Sequence, residues 1–340
     1  MKYLLVKKFL KGEMMKLRYI EFPNAIAASG AMGNFGEGYW YSRWEKFIGI
    51  LNMKGLGFVS KTATLNARRG NTPYIYDEST FPPAEIKPKS IKIDLLNKNV
   101  LNAVGLGNPG LKAFLNSEYW QNKEYPFWIS IMSIAKNADE RISEMKDMID
   151  LLINEKPNFK ANFGIQINLS CPNTGHDTCG LSAEANDMIN IVSKLDVPIM
   201  AKFTIASSSI DSLIELEKNP HLDAICLSNT IPYNWKPEEL LYGKEMVNAW
   251  FKPFGETSPL EDMGNGGISG NIIKPYVLKY IYELRSAGFK KHINGGGGIM
   301  CASDVDLYKE AGANSIFFGS VIMVRPYEVK GIIDRANEIL

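Results

Sequence analysis

The sequence predicts an α/β fold, a (β/α)8 TIM barrel with insertions after strands 2 and 6. Three observations carry that expectation. Eight short apolar or β-branched runs alternate with stretches of helical period. Nearly every run ends in a polar side chain or bare glycine, and two long polar stretches follow the second and sixth runs. Strand followed by helix, repeated, gives a parallel sheet, and eight repeats close it; an open doubly wound sheet is the alternative.

In chain order, "NAIAASG" (24–30) is the first strand and "YWYSRWEKFIGILN" (39–52) the helix after it. The second strand is "GFVSKTATL" (57–65), and residues 66–125 behind it are too long, and too rich in Gly, Pro and Asn, for a simple barrel connection. "FWISIMS" (127–133) precedes a helix at 139–155, where Ile142, Met145, Met148, Ile149 and Leu152 recur at spacings of three and four along one face. "GIQINLSCP" (164–172) leads to a helix at 183–195, and "PIMAKFT" (198–204) to one at 208–218, where Ser208 and Asp211 resemble a capping box. "DAICLSNT" (223–230) is followed by the second long stretch, 231–271, and a helix at 272–287. "HINGGGG" (292–298) and "SIFFGSV" (315–321) complete the strands, with helices at 303–311 and 327–339. Insertions that follow strands lie at the C-terminal face of a barrel, where substrates bind.

Composition narrows the functional classes. The 340 residues are 45% hydrophobic and 22% charged, ordinary for a globular protein, and divide into an N-terminal lead-in (1–21) and one barrel domain (22–340). Basic and acidic residues number 38 and 37, a net charge of +1, so there is no electrostatic footprint for nucleic acid and a small molecule is the expected ligand. Cys171, Cys179, Cys226 and Cys301 form no C-x-x-C pair and lack His-rich company, so no metal site, iron–sulfur cluster or disulfide framework is expected. Reduced thiols fit a cytoplasmic protein. In "MKYLLVKKFLKGEMMK" (1–16) lysines interrupt every short apolar run, and no segment of the chain reads as a membrane span.

The strand ends mark the expected site. Ala28, Ser29 and Gly30 end strand one, Lys61 and Thr62 lie in strand two, Ser130 in strand three, and Asn168, Ser170 and Cys171 end strand four. Lys202 lies in strand five, Asn229 and Thr230 end strand six, and Gly295 to Gly298 and Gly319 with Ser320 end the last two. Two lysines at matching positions of two strands suit an anionic ligand, or charge developing on a ring. Glycines after strands seven and eight lie where barrels bind phosphate, because missing side chains let backbone N–H groups reach the anion. Asn168, inside "IQINLS", is costly to bury unless its amide is paired, which suggests a ligand with several donors and acceptors. Asn173, after Pro172, is also a natural turn former. Cys171 sits among polar neighbours, where a thiol can titrate and act as base or nucleophile; an inert packed thiol is the usual alternative. Only His176 stands near enough in sequence to make a Cys–His hydrolase pair, which is weak support for hydrolysis.

These residues fall in motifs that resemble a known family. "NLSCPN" (168–173) is similar to the active-site signature of the class 1 dihydroorotate dehydrogenases. "AASG" (27–30), "SKTATL" (60–65), "LNAVGLGNPG" (101–110), "AKFT" (201–204), "LSNTI" (227–231), "GGISG" (266–270), "GGGGI" (295–299) and "GANSIFFGS" (312–320) resemble it too, in family order. "NAVGLGNPG" (102–110) and "MGNGGISGNIIKP" (263–275) look closest to the NAD-linked subclass.

The resemblance implies an FMN flavoprotein that oxidises (S)-dihydroorotate to orotate in pyrimidine biosynthesis. FMN would be held by Ala28, Ser29, Gly30, Lys61, Thr62, Asn102, Asn168 and Lys202, and by Ser228, Gly270, Gly297, Gly298, Gly319 and Ser320. Substrate would meet Lys61, Asn102, Asn168, Asn173, Asn229 and Thr230, and the backbone of Val104, Gly105 and Leu106. Cys171 would be the general base that removes the C5 proton, and Lys202 the fixed cation that stabilises the reduced ring. The resemblance further implies a cytoplasmic homodimer working with a separate subunit that carries FAD and an iron–sulfur cluster. A flavin oxidoreductase acting on another pyrimidine, like the dihydropyrimidine dehydrogenases, or on a cyclic enone, is the second reading. Where the family usually reads R-x-G-N-P-x-P-R, this chain reads "RRGNTPYI" (68–75), without one proline and the last arginine.

Overall fold

The structure, a computed structural model, describes residues 14–72, 85, 87–169, 184–237, 242–250 and 253–340. Its strands, in chain order, are β1 (Met15–Leu17), β2 (Ile20–Phe22), β3 (Ala25–Ala27), β4 (Ile91–Asp94), β5 (Asn99–Asn102), β6 (Phe127–Ile131), β7 (Phe163–Asn168), β8 (Ile199–Phe203), β9 (Ala224–Leu227), β10 (Ile231–Pro232), β11 (Gly267–Gly270), β12 (His292–Gly295) and β13 (Ser315–Phe318). Seven of these form one parallel sheet in the order β3–β13–β12–β9–β8–β7–β6.

Residues 57–63 link the two edges of that sheet. Gly57 exchanges backbone hydrogen bonds with Ala25 and Ala27 at 2.9 Å, and Phe58, Ser60 and Ala63 bond to Trp128, Ser130 and Met132 at 2.9–3.0 Å. The expected second strand is therefore present as isolated bridges, not as a continuous ladder. Its side chains explain the break: Ser130 N donates to Ser60 Oγ (2.9 Å), while the Ser60 carbonyl accepts instead from Ser29 Oγ (2.9 Å). The result is a curled α/β sheet consistent with a TIM barrel. A second sheet, antiparallel in the order β10–β11–β5–β4, is built from residues between 91 and 270.

Every residue of β6, β7 and β8 is buried, as a parallel sheet covered on both faces requires. Gly164 in β7 is a packing necessity, since a Cβ there would stand 2.5 Å from the Trp128 ring. The β1–β2 hairpin closes the end of the sheet where the parallel strands begin. Met15, Leu17, Ile20 and Phe22 join a buried cluster with Trp128, Met200 and Phe317, and Phe22 stacks on Trp128 with centroids 4.4 Å apart. Each such fully buried side chain contributes on the order of 1.5–3 kcal/mol before entropy is counted. Arg18, in the hairpin turn, donates from Nε to Asp223 Oδ1 (2.9 Å), just ahead of β9.

The helices follow the apolar periodicity closely. In Ala138–Glu155, Met145, Met148, Ile149 and Leu152 are buried, and Asn137 caps the start by accepting from Glu140 N (2.9 Å). Two expectations shift. The helix expected at 39–52 ends at Phe47, because Gly49 takes a left-handed φ of 78°. The cap expected of Ser208 belongs to Ser209, whose Oγ accepts from Ser212 N (3.1 Å), and the Ser208 carbonyl is taken by the Tyr280 hydroxyl (2.7 Å). Among the described residues no helix is long and apolar enough to cross a membrane.

His292 gives the fold a pH dependence. Its Nε2 lies 2.7 Å from Ser315 Oγ, and burial, helped by nearby Arg285, lowers the imidazole to about 4. An unfolded histidine titrates near 6.5, so between these values the unfolded chain binds more protons. The stability that a neutral His292 contributes is complete above about pH 6.5 and is lost as pH falls toward about 4. Urea unfolding from about pH 7 to about pH 4 is expected to register that loss, and His292→Gln to reduce the slope. Identical slopes in both proteins would assign the loss to other groups.

Candidate active site

A cavity of about 690 Å³ opens where the parallel strands end. Ala28, Ser29 and Gly30 reach it after β3, Lys61 and Thr62 from the bridging segment, and Asn168 from the last position of β7. Lys202 in β8 and Ser228, Asn229 and Thr230 after β9 continue the wall. Gly297 and Gly298 follow β12, Gly319 and Ser320 follow β13, and Asn102, Val104, Gly105 and Leu106 enter from the end of β5. Gly270 is the exception among the expected residues described here. It ends β11 behind the wall, where its carbonyl oxygen would stand 2.6 Å from a Cβ on Gly298. Cys171 and Asn173 lie outside the described residues.

The side chains of the wall are held to one another. Thr62 Oγ1 lies 2.9 Å from both Ser29 Oγ and Ser130 Oγ, a hydroxyl chain across three neighbouring segments. Asn229 Nδ2 donates to Asn168 Oδ1 (3.0 Å), and Asn229 Oδ1 accepts from Thr230 N (3.0 Å). This pairing fixes both amides in the cavity wall, the preorganisation a ring ligand needs. Lys202 is 5% exposed and Lys61 8% exposed, so both cations sit deep. Among the described residues the lining holds Lys61, Lys87, Lys92 and Lys202 against one carboxylate, Glu85, a balance that favours an anion.

The glycine wall is a second device. Gly297 and Gly298 have φ of 134° and 77°, and a Cβ on Gly296 would come within 2.1 Å of the Phe317 carbonyl oxygen. Gly319 is closed off likewise, its Cβ position 3.0 Å from that of Ala28. Only bare backbone fits, and bare backbone exposes N–H groups to an anion. Beside it, Ser320 Oγ lies 2.8 Å from Ser269 Oγ.

Several contributors to the wall carry no mark in the sequence. Tyr39 donates its hydroxyl to the Gly30 carbonyl (2.8 Å) and stacks on Tyr41 at 5.8 Å, and both rings line the cavity with Ile91, Ile93 and Met323. Nothing in their spacing marks them: the antiparallel sheet brings in Ile91 and Ile93 from β4, and Met323 comes from the short helix Ser320–Val324 after β13. Asn108 could have been noticed, since Asn-Pro-Gly is a turn signature.

Comparison with known proteins agrees with this geometry. The sequence matches the dihydroorotate dehydrogenase family over residues 14–340. Among its relatives are the catalytic subunits of dihydroorotate dehydrogenase B (NAD(+)) from Endomicrobium trichonymphae, 28% identical over 91% of this chain and 87% of that protein, and from Caldicellulosiruptor bescii, 29% identical over 91% and 88%. The fold resembles the crystal structure of DHODH from Eimeria tenella in complex with ferulenol, with a TM-score of 0.64 at 15% identity, covering 98% of this chain and 88% of that one.

Proposed function

The chain belongs to the dihydroorotate dehydrogenase family, and from that premise we propose that it oxidises (S)-dihydroorotate to orotate, with FMN as its cofactor, in pyrimidine biosynthesis. One observation carries the reading. A single cavity combines a side-chain-free glycine cradle, two deep lysines and a locked pair of asparagine amides.

That donor set fits FMN. The phosphate would lie against Gly297, Gly298, Gly319 and Ser320, and Gly270 supports that wall from behind through its contact with Gly298. The ring would lie against Ala28, Ser29, Gly30, Lys61, Thr62, Asn102, Asn168, Lys202 and Ser228, of which all line the cavity. Bound FMN supplies a two-electron hydride acceptor. Lys202, buried beside Phe317, would hold positive charge against the reduced ring at low local dielectric. Asn102, Asn168, Asn173, Asn229 and Thr230 would read the polar edges of the substrate ring, and Lys61 with the amides of residues 104–106 would meet its carboxylate. Cys171 would take the C5 proton.

The relatives named as catalytic subunits support a separate electron-transfer subunit as partner; an FAD and iron–sulfur cluster in that subunit, and a homodimer of this chain, are proposed from the family resemblance of its motifs. Residues 66–125 and 231–271 are best understood as the insertions of a barrel spanning 22–340; they contribute the antiparallel sheet beside the mouth. The decisive experiment is anaerobic addition of dihydroorotate to the purified flavoprotein. Bleaching of the flavin absorbance is expected; bleaching by a dihydropyrimidine lacking the carboxylate, with none by dihydroorotate, would transfer the assignment to another pyrimidine.

A further inference from the structure

The turn after β5 has its four successive carbonyl oxygens held from outside the cavity. Asn71 donates from Nδ2 to Ala103 O (2.8 Å) and from its backbone N to Val104 O (2.9 Å). Arg68 Nε donates to Gly105 O (2.8 Å), and Asn108 Nδ2 to Leu106 O (2.7 Å). In a trans peptide the N–H points opposite to the C=O of the preceding residue. Fixing the carbonyls of residues 103, 104 and 105 therefore fixes the N–H groups of Val104, Gly105 and Leu106. Those three residues line the cavity, and their N–H groups donate to nothing among the described residues.

The backbone shape agrees. Gly105 and Leu106 have φ of 71° and 56°, two successive left-handed residues, so the chain turns sharply just where the three amides face the cavity. Leu106 carries a Cβ and adopts that region only because its surroundings impose it. The brace itself is rigid. Asn108 is 1% exposed, accepts at Oδ1 from Gly110 N (2.9 Å) and Thr64 Oγ1 (3.2 Å), and exchanges backbone hydrogen bonds with Arg68 (2.8 Å each). Gly70 lies flat against the turn, where a Cβ would come within 2.5 Å of Val104 O.

We propose that Arg68, Asn71 and Asn108 are positioning residues that set selectivity for the substrate carboxylate, by holding the amides of residues 104–106 as a preformed cradle. The proposal rests on the dihydroorotate reading and adds to it residues that touch neither substrate nor flavin. Arg68 also brings a guanidinium charge behind the cradle, at the Gly105 carbonyl.

The test uses the holoenzyme and two probes that differ by the carboxylate, orotate and uracil, titrated against the flavin spectrum. Asn71 is exposed and Arg68 half-buried, so Asn71→Ala and Arg68→Met are expected to fold and keep their flavin. Each should weaken orotate about tenfold, the scale of one charge-assisted hydrogen bond, and raise KM for dihydroorotate with little change in kcat. Uracil binding should stay within about twofold of the unmodified enzyme. Equal weakening of both probes, or unchanged orotate binding in both variants, overturns the brace. Unmodified enzyme that binds uracil as tightly as orotate instead removes the functional reading, and the cradle's assignment falls with it.

Discussion

Cys171→Ala is expected to purify with its flavin and to lose flavin reduction by dihydroorotate about 10²- to 10⁴-fold, the usual worth of a general base. Among the described residues the two other thiols, Cys226 and Cys301, cannot substitute. Cys226 is completely buried in the apolar cluster inside the sheet, and burial pushes its thiol up to about 12 even though Lys202 opposes the shift. Cys301 begins the helix Ala302–Ala311 and does not line the cavity. Cys171→Ser should recover reduction only at raised pH, because a hydroxyl gives up its proton far less readily than a thiol near 8.5. Anaerobic stopped-flow bleaching measures all three proteins. Unchanged reduction in the alanine variant would exclude Cys171 as the base, and a flat pH profile in the serine variant would argue that proton removal does not limit the rate.

What the sequence revealed, and what it hid, follows from the range of each interaction. Strand ends were legible because each is a local pattern: an apolar run followed by Asn168, by Lys202, or by the glycines at 295–298. Once a barrel is assumed, every such end falls on one rim, and the cavity gathers residues from 28 to 320 with no further information. Residues 57–63 were less legible, since whether Ser60 pairs through its backbone or its hydroxyl is decided by Ser130 and Ser29 across the interface. The brace around residues 103–106 was hidden for a related reason. Arg68, Asn71 and Asn108 are ordinary loop residues by composition, and only the closure of 68–71 onto 104–108 gives their hydrogen bonds a direction. Gly270 shows the converse: its motif was legible, but its role is to pack behind Gly298 and not to line the cavity.

Gly298→Ala is expected to yield protein that folds but cannot hold FMN, with affinity lowered more than about a hundredfold. Two independent costs act on the added methyl. Gly298 sits at φ 77°, where a Cβ costs roughly 1–2 kcal/mol from local sterics alone. The methyl would also lie 2.6 Å from the Gly270 carbonyl oxygen and 2.8 Å from Lys274 Cβ. Relief by moving Gly270 is blocked, because Gly270 has φ 102° and its own Cβ position is 2.3 Å from the Lys98 carbonyl oxygen, while β11 is registered against β5. The loop after β12 must therefore move into the cavity, across the backbone proposed to receive the phosphate. Gly331→Ala is the control: its Cβ would meet nothing nearer than Ala302 at 3.9 Å, within the helix Val329–Ile339, where alanine is favoured over glycine by up to about 1 kcal/mol. The ratio of flavin to protein absorbance after purification, followed by FMN titration of the stripped protein, separates the two variants. Wild-type FMN affinity in Gly298→Ala would show that the phosphate does not rest on this turn, and would move the cofactor's anchor elsewhere on the rim.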